Sequence, residues 1–152
     1  MKNRNLVIHW LTVIVWMLII FYLSSQPAVK SDGLSIGLIS RLFYIVGIDA
    51  SELSSLDLWN LIIRKGAHFS AYLVLGLLML NALRLTLGFS FHSVIIAIAV
   101  CTIYAASDEV HQYFVTGRSC QLTDVLIDCS GAIIGICFLF LLNYILHRDI
   151  KT

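Results

Sequence analysis

Three cations, Arg64, Lys65 and Arg118, and four carboxylates, Asp108, Glu109, Asp124 and Asp128, stand out in a chain otherwise poor in charge. Arginine guanidiniums form planar forks that match phosphate or carboxylate oxygens, so the cations suit an anionic ligand. Ser25, Gln26, Tyr72 and Gln112 add neutral groups able to orient it. Together with His68, these residues form a candidate ligand-binding set. A catalytic reading uses Glu109, His111 or Asp108 as a general base acting on a lipid-linked phosphate or headgroup. A metal, if one were bound, would draw on His68, Asp108, His111 and Asp124. Neither metal nor cofactor is expected, because Asp108-Glu109-x-His111 replaces the H-E-x-x-H spacing of zinc hydrolases. A serine nucleophile lacks its Gly-x-Ser-x-Gly elbow. The structural alternative is that these charges neutralise one another near lipid headgroups.

Spacing favours shared faces. Arg64 and His68, His68 and Tyr72, Asp108 and Gln112, and Asp124 and Asp128 are each four residues apart, which makes them neighbours on a helix. Ionisable groups at membrane depth are costly and usually face the bundle interior. Asp128, deepest in its apolar run, needs a partner such as Arg118, Arg64 or Lys65.

The elements that must position these groups follow from composition. Of 152 residues, 59% are apolar and 12% charged, against roughly 25% charged in soluble domains. Mean hydropathy is +0.91. A small soluble fold cannot bury that much hydrocarbon, so a soluble enzyme and a disordered chain are both excluded. A net charge of +1 gives no basic field for nucleic acid. The lipid bilayer is the first partner.

A spanning helix needs about 20 mostly apolar residues. Four stretches qualify: Leu6 to Leu23, Gly66 to Leu83, Phe89 to Ser107 and Val125 to Leu146. The first is read as a retained helix, since Ser24-Ser25-Gln26-Pro27 is a poor cleavage site for a signal peptide. Gly131 and Gly135 have the small-x-x-x-small spacing that lets helix backbones approach, and Gly66 and Gly76 are assigned the same role. Between the first two spans, Leu34, Leu38, Leu42 and Ile45 align on one face of an interfacial or re-entrant helix ending near Ile48. Asp49-x-x-Glu52 resembles a capping box for a second short helix carrying Trp59. The expectation is an all-α polytopic membrane protein, residues 1–152 as one domain, with one or two short amphipathic helices between spans one and two.

An up-down-up-down bundle brings the end of span one, the start of two, the end of three and the start of four to one membrane face. All the candidate residues sit there. With the termini in the cytoplasm, Lys2, Arg4, Arg84, Arg148 and Lys151 lie inside and Lys30, Arg41, Arg64, Lys65 and Arg118 outside, so lysine and arginine are balanced. The first span usually dominates, and only Asp149 among the acids would then be cytoplasmic. That orientation makes the polar face extracytoplasmic. Cys101, Cys129 and Cys137 fall in apolar runs and read as small buried hydrophobes, with Cys120 alone in a polar stretch.

Ser24-Ser25-Gln26-Pro27, RKGAHFSAYLVLG at 64–76 and SDEVHQYFVTGRSCQLTDVLIDCSGAIIG at 107–135 resemble the VanZ-like family. The three motifs in this order cover the first span exit and nearly everything from Arg64 to Gly135. Where that family often has Pro-Gly-Arg, this chain has Thr116-Gly117-Arg118, which predicts a looser turn. The resemblance implies a small bacterial plasma-membrane protein linked to reduced susceptibility to teicoplanin-type glycopeptide antibiotics. An anionic lipid headgroup, a lipid-linked cell-wall precursor or the glycopeptide itself are the partners it suggests.

Overall fold

The computed structural model describes residues 2–45, 47 and 55–148. They form five helices: α1 Lys2–Ser24, α2 Ala28–Ile45, α3 Leu56–Leu87, α4 Phe91–Tyr113 and α5 Leu122–Arg148. All but α2 are long and apolar enough to cross a membrane. Their outward faces carry large aliphatic and aromatic residues, among them Leu18, Ile103, Phe138 and Leu141. In water such a surface would be untenable; in lipid it costs nothing.

Two spans are longer than their apolar runs. Helix α3 has 32 residues, about 48 Å at 1.5 Å per residue, against a hydrocarbon layer of about 30 Å. It starts ten residues before Gly66, so Arg64 and Lys65 lie inside it. Helix α4 likewise runs on past Ser107 to Tyr113 and includes Asp108, Glu109, His111 and Gln112. Charge does not end these helices, because the polar side chains find partners inside the bundle.

Trp59 belongs to α3 and meets Phe43 of α2 edge-on, with ring centroids 5.5 Å apart. The second short helix expected around it is therefore the first turn of the span. Asp49 and Glu52 lie outside the described residues. Helix α2 begins earlier than expected, at Ala28, and its buried residues are Ser35 and Ile39. Leu34, Leu38, Leu42 and Ile45 are the exposed face. The apolar stripe of α2 thus looks outward, as suits a helix against lipid, and its serine-bearing side looks inward.

The tightest pairing is α3 with α5. A Cβ on Gly131 would lie 2.3 Å from the Phe69 carbonyl oxygen, and one on Gly135 would lie 2.2 Å from that of Leu73. Gly76 returns the fit, its Cβ position being 2.3 Å from the Ala132 carbonyl oxygen. Only hydrogen fits at these three positions, and the backbones close on one another. Gly66 plays no such part, with nothing within 4 Å of its Cβ position.

Helix α1 is held by single hydrogen bonds. Trp16 Nε1 donates to the Ala71 carbonyl (2.8 Å), Trp10 Nε1 to Thr86 Oγ1 (3.0 Å), and Tyr104 OH to the Met17 carbonyl (2.6 Å). At the end opposite the polar cluster, Arg84 Nη1 donates to Asn143 Oδ1 (2.6 Å), a bond between spans. All four cysteines are free. Cys101 is buried as expected, whereas Cys137 is exposed on the outer face of α5; an apolar run in lipid has no single buried side.

Candidate functional site

Where α1, α3 and α4 meet the α4–α5 connection, the polar residues form a connected row. Ser24, the last residue of α1, donates through Oγ to Asp108 Oδ2 at 2.8 Å. Gln112, one turn beyond Asp108 on α4, donates Nε2 to Ser24 Oγ (2.7 Å) and to Asp108 Oδ2 (3.3 Å). Its Oε1 accepts from Arg118 Nη1 at 2.9 Å, and Arg118 Nε donates to the Gln26 carbonyl at 3.0 Å. Ser24, Asp108 and Gln112 are buried. Burial and the neighbouring Arg64 guanidinium hold Arg118 below the usual arginine pKa.

Beside this row lies a cavity of about 200 Å³, far more than one water needs. Its polar wall consists of Ser24, Gln26, Arg64, His68, Tyr72, Asp108 and Arg118, with Ser31 and Ser35 from α2 closing one side. Aliphatic groups, including Ile20, Leu23, Leu34 and Ala71, complete it. A smaller cleft of about 40 Å³ shares Arg64, His68 and Arg118 and reaches Asp124 and Ser119. Two arginines and one histidine therefore face both spaces.

Asp128 stands behind His68. Its carboxylate is fully buried and lies 3.3 Å from His68 Nδ1, at ion-pair distance without an aligned hydrogen bond. The partner expected to be arginine or lysine is this imidazole, because Lys65 is engaged elsewhere. Lys65 pairs with Asp124 in the first turn of α5, where a carboxylate also suits the helix dipole. Arg64 Nη1 reaches Asp32 of α2 at 3.4 Å, and Asn60 Nδ2 donates to the same Oδ1 at 3.2 Å.

Several candidate residues do not join the cavity. Ser25 turns back to the Tyr22 carbonyl (2.9 Å), and Ser24 takes the inward place. One residue of helical rotation, about 100°, separates the two. Glu109 is buried, but its Oε1 accepts the Gln121 backbone N–H (2.6 Å), tying down the connection into α5. His111 stacks on Phe21, with centroids 4.4 Å apart. Of the three bases that the catalytic reading offers, Asp108 lines the cavity, whereas Glu109 and His111 are not among its lining residues. Among the described residues no three His, Cys, Asp or Glu side chains are grouped to hold a metal; His68 lies beside Asp128 and His111 beside Phe21.

The residues missed by sequence reasoning are those of α2: Ser31, Asp32 and Ser35. Ser31 and Ser35 are one turn apart and stand three and seven residues from Leu34, Leu38 and Leu42, so they border the leucine stripe and spacing alone did not set them apart from it. The turn before Arg118 is also better formed than expected. Arg118 N–H donates to the Val115 carbonyl (3.1 Å) and Gly117 has φ of 78°, the bond and positive φ of a type II turn. The Thr116 carbonyl then accepts the Ala28 N–H at 3.2 Å and caps α2.

A bundle with four membrane-crossing helices and a basic, serine-bearing cavity at one end defines the class as a multi-pass membrane protein. The chain belongs to the VanZ/LLP1 family, whose model matches residues 9–143. No curated protein and no solved structure matches the chain.

Proposed function

We propose that the protein contributes to teicoplanin-type glycopeptide resistance by binding an anionic component of the cell envelope in the cavity between α1, α2, α3 and α4. The observation that carries this reading is the convergence of Arg64 and Arg118, from elements 54 residues apart in sequence, on one cavity at a bundle end. Two guanidiniums facing one cavity repel each other unless an anion joins them. Asp32, at 3.4 Å from Arg64, and Asp108 in the same wall meet part of that demand. The ligand is an anionic lipid headgroup or a lipid-linked wall precursor, met at the outer leaflet of a bacterial plasma membrane with both termini cytoplasmic. Residues 1–152 act in this reading as one membrane domain.

The test is Arg118→Ala and Arg64→Ala in cells whose resistance depends on the protein. Resistance should be lost while the amount of protein in the membrane is unchanged. Loss of both in proportion would assign the arginines to structural pairing instead.

A further inference from the structure

Tyr72 and Asp108 carry buried polar atoms that the fold leaves unused. Tyr72 is 0% exposed and its hydroxyl has no hydrogen-bond partner among the described residues; Asp108 is 3% exposed and its Oδ1 has none either. Both line the same cavity as Arg64 and Arg118. A buried polar group without a partner costs stability, so two of them on residues that line one cavity point to what fills it. Tyr72 offers an O–H to be accepted, and Asp108 Oδ1 offers lone pairs to be donated to. A hydroxyl group meets both demands at once, whereas an ammonium would leave the phenolic hydrogen unmet. The guanidiniums keep free donors for a phosphate: among the described residues Arg64 uses only Nη1, on Asp32, and Arg118 uses Nε and Nη1. Leu23 and Leu34 line the cavity and are also exposed on the outer surface, at 51% and 64%. Such apolar side chains, shared by the cavity wall and the surface, suit an acyl chain.

We infer that the ligand is a phosphate ester whose headgroup carries a free hydroxyl, its phosphate on Arg64 and Arg118 and its hydroxyl between Tyr72 and Asp108. This rests on the anion-binding reading above and adds a specificity to it. The experiment is titration of the full-length protein in detergent with phosphatidylglycerol, phosphatidic acid and phosphatidylethanolamine, followed by native mass spectrometry, for wild type and Tyr72→Phe. Phosphatidylglycerol should bind about five- to tenfold more tightly than phosphatidic acid, the effect of one or two added hydrogen bonds. Tyr72→Phe should reduce that preference to about twofold or less, because it removes the one O–H that the headgroup hydroxyl would accept from, and a melting temperature measured alongside separates lost recognition from lost fold. Competition by soluble glycerol phosphate at similar concentration would assign the site to a soluble source; binding of the diacyl form alone assigns it to lipid. Equal binding of phosphatidylglycerol and phosphatidic acid, preference for phosphatidylethanolamine, or an unchanged preference in Tyr72→Phe would overturn the inference with anion binding intact. If no phosphate lipid binds and Arg118→Ala changes nothing, the anion site itself fails, and this specificity with it.

Discussion

Gln112 Oε1 accepts a hydrogen bond from Arg118 Nη1 across 2.9 Å, while the other end of the same amide reaches Ser24 and Asp108. One side chain thus connects the α4–α5 connection to the end of α1. Replacing it by alanine leaves a guanidinium, a carboxylate and a hydroxyl each one partner short. Gln112→Ala should cost about 1–3 kcal/mol of stability, read as a lower melting temperature in detergent. The double variant with Ser24→Ala should lose less than the sum of the two single losses, since the two side chains share a network.

The glycine contacts allow a paired comparison. Gly135→Ala places a methyl 2.2 Å from the Leu73 carbonyl oxygen, so α3 and α5 must separate. A loss of about 1–3 kcal/mol is expected from such overpacking. Gly66→Ala meets nothing within 4 Å and should stabilise its helix by up to about 1 kcal/mol. Equal effects at the two sites would contradict the packing described.

Asp32 occupies one guanidinium that a ligand would need. The contact is long, 3.4 Å, and both side chains are about one-third exposed. Such a pair is worth roughly 0.2–1 kcal/mol. Asp32→Asn should therefore tighten phosphate-lipid binding by about two- to fivefold, measured in the same titration. Weaker binding would mean that Asp32 helps to build the site.

Thr116 stands at the turn position where proline presets φ, and its carbonyl already caps α2. Thr116→Pro should raise stability by about 0.4–1 kcal/mol by restricting the unfolded chain. A fall in melting temperature would show that the turn requires the Thr116 N–H.

Cys120 lies in the exposed connection at the cavity end, whereas Cys101 is buried. With that end extracytoplasmic, a membrane-impermeant thiol reagent should label Cys120 on intact cells, and Cys120→Ser should abolish the signal. Labelling that appears only after lysis would reverse the orientation.

Much of the architecture was legible in the chain because lipid imposes a simple rule: about 20 apolar residues must be helical to cross it. Hydropathy alone therefore located all four spans, and their alternating direction brought Ser24, Arg64, Asp108 and Arg118 to one end. Gly131 and Gly135 announced a close contact through their spacing. What hydropathy misplaced was the helix ends, since a helix continues through charged residues once neighbours pair with them, as α3 does through Arg64 and Lys65.

Which groups at that end face a common space was decided only by the tertiary structure. Ser24 turns inward and Ser25 does not, Asp128 meets His68 in place of an arginine, and Lys65 is drawn off to Asp124. Each outcome depends on the rotation of one helix about its axis, where a single residue amounts to about 100°. Residue type carries no record of that angle. It is set by contacts such as those at Gly76, Gly131 and Gly135, which fix how α3 and α5 lie together. The inward side of α2 was hidden for the same reason: its leucines marked a face, and only the packed bundle showed that this face is largely exposed while Ser31 and Ser35 line the cavity.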